Sequence, residues 1–491
     1  MNEFAFSLKK IRNEVDDEEI GFRLPGDKAK PVHFATGFFR GITGKRADTD
    51  LLSRFVYVTD AKGQTKPGCD TAELMNELHS YNIIEDTINN KEIHALRVMM
   101  QHLLNADSGV FGEKGDLVSY SAASEKFVTS RARYEEVGEI GAGIIKEACP
   151  ELSDYVMRLL HYNDDEISLI FDPINCDTVP VENLRPLPEW IRQSQNPMWD
   201  KYVESVRQSG LCLLENITKQ PKLLAIRTVI HFAIFHLIRY LAKQESFHNS
   251  NAPQVIPFLS VYASSRHFSL VDSSKISFSQ IGQSLARFYA TMYSKKFESY
   301  KMSLRDLINT EKAPIYDENM KQSKSSEKKA AQNDEVWKNA KSVAEEESIE
   351  ANALLHLGQS IHDMVATASD TNPDKYIRGL GLRTGILYPP TARIKPYFRF
   401  SQDITNMLVM ATVPRGKNIS GDDFLLQIRN SFDVVTGALE SDFDFLSNHL
   451  RTMRTDEDEL SKNGESFIEQ ICDMGHGKVL ADGIFRVAIG E

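Results

Sequence analysis

The stretch Leu223–Leu241, LLAIRTVIHFAIFHLIRYL, is the most apolar run in the chain and constrains the fold more than any other segment. Nineteen residues of this kind can only just span a bilayer. Arg227, His231, His236 and Arg239 interrupt the run, and ionisable groups are expensive in hydrocarbon. On a helical wheel Arg227 and His231 share one face, while His236 and Arg239 lie on the far side. A helix that is apolar nearly all round belongs in the core of a large helical domain. The expected protein is built around this helix and has no membrane span.

A chain of 491 residues exceeds one ordinary core, so two to four domains are expected. Apolar content of 41% with 26% charged residues is that of a globular protein rather than a disordered one. The opening MNEFAFSLKKIRNEVDDEEIGF is acidic and lacks the apolar run of a secretory signal. Cys69, Cys149, Cys176, Cys212 and Cys472 lie far apart. An odd, scattered set predicts reduced thiols in a cytoplasmic protein and argues against structural zinc.

Charge is banded along the chain. Residues 51–200 hold 13 Lys/Arg against 25 Asp/Glu, residues 201–300 hold 12 against 5, and residues 401–491 hold 8 against 16. Within an overall net charge of −12, the segment 375–399 carries six cations and no carboxylate: Lys375, Arg378, Arg383, Arg393, Lys395 and Arg399. Tyr376, Tyr388, Tyr397 and Phe398 are interleaved with them, and Phe400 follows. Cations with aromatic faces grip phosphodiester backbones and stack bases. The predicted nucleic-acid contacts are Arg378, Arg383, Arg393, Lys395, Tyr397 and Arg399, with Lys275, Arg287, Lys295 and Lys296 as a possible extension. The competing reading pairs these cations with the acidic regions 151–200 and 401–460, or with a partner. A protein that coated nucleic acid would be basic overall, so any contact here is expected to be local.

Local patterns predict several elements. His33–Arg40 and Arg54–Thr59 are rich in aromatic and β-branched residues and read as strands. Asp70 and Glu73 stand at capping-box spacing before helical periodicity, and Ile93, Leu96, Met100, Leu103 and Leu104 mark one helix face. Ile167–Phe171 reads as a strand, and Glu311–Ser348 as a solvated linker turning helical towards Glu350. A helix is expected over Asn352–Thr367. Towards the end, Asp422–Arg429 and Glu465–Met474 read as helices, the latter with Gly475 as a left-handed cap. Asp482-Gly483 then predicts a two-residue type I′ hairpin. Helix followed by hairpin outlines a winged-helix-like unit. Glu465, Glu469 and Asp473 on its last helix would repel phosphates, which favours protein docking there.

Catalytic patterns are weak. Gly138-x-x-Gly141-x-Gly143 and Gly379-x-Gly381-x-x-x-Gly385 do not match phosphate-loop spacing. His362-Asp363 is a common dipeptide, and His356 is too close to supply a ligand from a separate helix. Asp164, Asp165, Glu166 and Asp172 flank a predicted strand without the lysine of a two-metal nuclease. His94 with His102, and His231 with His236, lack the spacing of a zinc pair. No catalytic residue, metal ligand or cofactor is assigned.

Two blocks carry a resemblance. Pro257–Phe297, PFLSVYASSRHFSLVDSSKISFSQIGQSLARFYATMYSKKF, resembles uncharacterised accessory proteins of bacterial anti-phage defence and DNA restriction loci. So does LGLRTGILYPP (Leu380–Pro390) with the following YFRF and the acidic FLLQI helix. Such proteins are encoded beside translocase-type ATPases and nucleases. The resemblance implies a subunit of a multi-protein complex and brings no site residues.

The expected fold is mainly α (α+β) and multidomain. A β-rich N-terminal region spans 1–70, a mainly helical domain 71–310, a charged linker 311–350, and a domain with a winged-helix-like end 351–491. The expected function is that of a non-catalytic subunit of a DNA-targeting defence complex, touching nucleic acid and a partner protein. Two alternatives stand beside it: a diverged metal-dependent nuclease or phosphohydrolase, and a pure scaffold.

Overall fold

The computed structural model describes residues 8–23, 31–47, 76, 91–92, 95, 98, 136–161, 178–193, 196–253, 255, 257–261, 268–300, 303–309, 324–368, 373–389, 394–437, 439–449, 455–480 and 484–489. In these residues the chain is mostly helical with a few small sheets. The amino-terminal half contains α1 (Leu8–Val15), a π-helical turn (Asp16–Ile20), α2 (Pro31–Thr43), β1 (Lys45–Ala47), α3 (Glu136–Ala148), α4 (Pro150–His161) and β2 (Thr178–Pro180). Then follow α5 (Glu189–Gln193), α6 (Pro197–Ile217), α7 (Lys222–Ala242), α8 (Gln244–His248), α9 (Phe268–Ser299) and α10 (Leu304–Ile308). The remainder comprises α11 (Lys324–Glu346), α12 (Glu350–Ala368), α13 (Pro373–Thr384), β3 (Leu387–Tyr388), β4 (Tyr397–Phe398), α14 (Gln402–Met410), β5 (Asn418–Ser420), α15 (Gly421–Phe432), α16 (Asp442–His449), α17 (Glu457–Asp473), β6 (Gly477–Val479) and β7 (Phe485–Ala488).

The apolar run forms α7, which alone among the described helices is long and apolar enough to cross a membrane. Every residue from Ala225 to Ala242 except Arg227 is buried against protein. One large cluster surrounds it, from Ile11 in α1 to Val487 in β7. The 32-residue α9 runs about 48 Å at the usual helical rise and packs against α1, α7, α12, α13, β4 and α17.

Two expected elements take a different form. His33–Arg40 lies in α2 and is not a strand; Phe34, Ala35, Phe38, Phe39 and Ile42 are buried together. Their spacing follows a helical face, and burial of that face overrides β-propensity. The charged segment that reads as a linker contains α11. Asn333, Trp337 and Ala344 are buried along one stripe, with Val336 and Ala340 packed beside them. Few apolar residues suffice when they recur every three or four positions.

The Gly138 series is a helix face rather than a phosphate loop. A Cβ at Gly138 would lie 2.1 Å from the Phe34 carbonyl oxygen, so α2 and α3 approach at van der Waals limits. Arg54–Thr59, the Asp70–Glu73 cap, the 93–104 helix face and the Ile167–Phe171 strand lie outside the described residues, as do Asp164, Asp165, Glu166, Asp172, His94 and His102.

Towards the carboxyl end the order is helix, strand, three helices and two strands. β5, β7 and β6 form an antiparallel sheet in that spatial order. Gly475 has φ of 80°. His476 N donates to Ile471 O and Gly475 N to Cys472 O, which closes α17 as a Schellman motif. The hairpin differs from expectation. Val479 pairs with Phe485, leaving an odd number of residues between them, so a two-residue turn centred on Asp482-Gly483 does not fit.

Candidate nucleic-acid interface

The cationic segment 375–399 is a helix followed by a hairpin. Tyr376, Ile377, Leu380 and Thr384 of α13 face the core, which turns Lys375 and Arg383 outward. Gly385 ends the helix at φ 77°, and its carbonyl accepts from Ser401 N at 2.8 Å. A Cβ there would sit 2.4 Å from Ser401 Oγ, so the backbone conformation and the close approach both require glycine.

The hairpin is fastened from beneath. Phe398 N donates to Ser274 Oγ of α9 at 2.9 Å, and Phe398 O accepts from Ser260 N at 2.9 Å. Leu387 faces Phe398 and Tyr388 faces Tyr397 across the two strands. The first pair enters the core. The second shares the outer side with Arg399, by strand alternation.

The expected contact residues therefore divide. Lys375, Arg383 and Lys395 are exposed. Arg378 donates to the Ile394 carbonyl at 3.1 Å, joining α13 to the hairpin. Arg399 holds its guanidinium 5.0 Å from the centre of the Tyr388 ring. Arg393 lies outside the described residues. Tyr397 is only 7% exposed and meets Tyr388 edge-on at 5.7 Å, so it is not an open stacking platform. Phe398 and Phe400 are buried as well. The aromatic face on the surface is Tyr388, 41% exposed. In the sequence Tyr388 is one of several interleaved aromatics with nothing to distinguish it; only the cross-strand register reveals which tyrosine covers the other.

Other basic residues pair within the fold. Lys275 meets Asp272 at 2.9 Å, Arg287 grips Glu245 through two bonds of 2.7 Å, and Lys296 meets Glu18 at 2.5 Å. Arg227 pairs with Asp403, and Arg239 and Lys243 both reach Asp433. The positive middle band thus meets acids from both ends of the chain. Lys295 stays exposed.

The other candidate groups have core surroundings. His362 stacks on Tyr289 with centroids 5.5 Å apart, whereas Asp363 is exposed and accepts from Gln359. Burial, then the nearby Arg12 charge, pulls His362 down to about 4. Burial, then Arg227, pulls His231 down to about 3. Both imidazoles are neutral at physiological pH. Among the described residues no group of three or more His, Cys, Asp or Glu side chains gathers as a metal would require.

No family model matches the chain, and no curated protein or solved structure matches it.

Proposed function

We propose that this chain is a non-catalytic subunit of a DNA-targeting complex, making one local contact with nucleic acid and one with a partner protein. The carrying observation is the α13–hairpin surface. It presents exposed Lys375, Arg383 and Lys395 beside the Arg399–Tyr388 pair, whereas Arg227, Arg239 and Arg287 of the positive middle band meet carboxylates within the fold. Cations on a rigid support, with an exposed aromatic face, suit a phosphodiester backbone and a stacked base.

The second contact falls on the carboxyl-terminal unit, which we read as winged-helix-like from its strand order. Asp458, Glu465, Glu469 and Asp473 are exposed on α17 with Lys462 as the single cation among them. Val479 and Ile484 on the adjoining hairpin are 56% and 45% exposed. Acid beside apolar surface repels DNA and suits a basic, partly apolar protein face. The resemblance of Pro257–Phe297 and Leu380–Pro390 to proteins of anti-phage loci supports a cytoplasmic defence setting, with a translocase-type ATPase or nuclease as the partner.

The test is binding of a fluorescent DNA duplex across a salt series by wild type and by the Lys375→Glu/Lys395→Glu variant. The variant should bind more weakly, and its plot of log K against log salt should be shallower by about 0.9 for each phosphate no longer neutralised. Equal affinity and slope would sink the interface.

A further inference from the structure

A separate cavity of about 320 Å³ opens between α6, the end of α7 and the end of α15. Lys201, Tyr202, Arg239, Lys243, Arg429 and Asp433 line it. Four cations thus face one carboxylate. Arg239 is buried, and its Nε and Nη2 donate to Asp433 Oδ2 at 2.9 and 2.8 Å. Lys243 Nζ reaches the same oxygen at 3.0 Å.

The guanidinium is fixed on its remaining sides. Nη1 lies 2.9 Å from His236 Nδ1, and the group stands 5.4 Å over the Tyr202 ring. Arg429 is matched separately by Asp442 at 2.8 Å and lies over Phe445. Lys201, exposed at the rim, has no ion-pair partner among the described residues.

The charges do not balance. Asp433 offsets one of Arg239 and Lys243, Asp442 offsets Arg429, and the remainder with Lys201 is two positive charges. Burial first, and then the cations Arg239 and Lys201, pull the Lys243 ammonium below its ordinary value against the opposing effect of Asp433. Asp433 also holds φ 58°, the only described non-glycine residue with positive φ, a conformation that side chains adopt at a cost.

From this geometry we infer that the cavity binds a phosphate dianion, either free or as the monoester of a small organic molecule. Two uncompensated charges match a dianion; the ammonium groups of Lys201 and Lys243 are suitable donors for phosphate oxygens, with Arg239 adding fixed charge behind them. The volume lies at the lower end of small-ligand pockets, and Tyr202 and Phe445 supply an apolar wall for an organic substituent.

The site stands apart from the DNA-binding surface, and its test separates the two. Isothermal titration at low salt is run with sodium phosphate and, in a second arm, with AMP. Wild type should bind at least one at sub-millimolar Kd, and tighter AMP binding would assign the organic monoester. Lys201→Glu lies at the exposed rim and should keep the wild-type Tm while weakening binding about tenfold or more, since reversing that charge cancels the site's excess of two. Lys395→Glu, on the hairpin, should leave it unchanged. Absence of heat with both probes, or equal affinity in Lys201→Glu, overturns the assignment.

Discussion

The side-chain amide of Asn463 donates to the Leu259 carbonyl at 2.7 Å and so ties α17 to a segment 204 positions earlier. The same nitrogen donates to Thr436 O at 2.7 Å, and Oδ1 accepts from Val261 N at 2.8 Å. The side chain is fully buried, and three converging segments depend on its orientation. Asn463→Ala should destabilise by about 2–4 kcal/mol, because three main-chain groups lose partners. Asn463→Asp should be worse, since a carboxylate oxygen would face two carbonyls. Urea denaturation of both variants checks the order; an Asp variant as stable as wild type would refute the clamp.

Trp337 decides whether α11 is structural. It is 1% exposed on a helix whose composition resembles a linker. Trp337→Ala should cost about 3–5 kcal/mol, whereas Lys338→Ala on the exposed side should cost almost nothing. Matching midpoints for the two variants would return the segment to a passive connection.

Gly138 and Gly143 sit on the same helix but predict different outcomes. Alanine at 138 must push apart two backbones, Phe34 O at 2.1 Å and Phe38 N at 2.4 Å, and should cost about 1–3 kcal/mol or more. Alanine at 143 meets only the Leu187 side chain at 3.0 Å, which can yield. Thermal melts of the pair should show Gly138→Ala clearly lower, and equal Tm values would contradict the close α2–α3 crossing.

Acid sensitivity follows from His231, which is buried, and His362, which is partly buried. His231 and His362 titrate well below the unfolded value of about 6.5, so the unfolded chain binds protons that the folded chain refuses. Their stabilisation is present above about 6.5 and is lost as pH falls towards about 4 for His362 and about 3 for His231. Asp16 acts oppositely. Burial raises it to about 6 despite Arg12, so its contribution is present below about 4 and lost as pH rises through 6. His362→Phe keeps a ring on Tyr289 and removes one titration. Its urea midpoint should fall less than that of wild type between about pH 7.5 and 5. Parallel falls would show that His362 does not titrate in this way.

Much of the helical plan is legible in sequence. The 223–241 run, the helix near 352–367 and the Gly475 cap all rest on local periodicity and cap chemistry, and the β6–β7 pairing is legible too, though not its register. Sequence and structure part where tertiary packing outweighs local preference. Phe38-Phe39 looks extended until α3 is seen to pack along α2, and Trp337 looks isolated until α11 is seen to pack against α12. The candidate interface is legible in charge but not in geometry. Arg378, Arg383, Lys395 and Arg399 stand out by composition, yet nothing local shows that Tyr397 lies beneath Tyr388. The cavity proposed for phosphate has no sequence signal, because Lys201 and Arg239 lie on α6 and α7 while Asp433 caps α15, 194 positions after Arg239.

Phe258 also bears on synthesis. Its covering side chains include Val435, Leu446 and Leu460, all far downstream. At about 5–20 residues per second on the ribosome, this apolar segment emerges roughly ten to forty seconds before its cover. A nascent chain paused in that interval exposes a bare apolar segment to its neighbours on the same polysome.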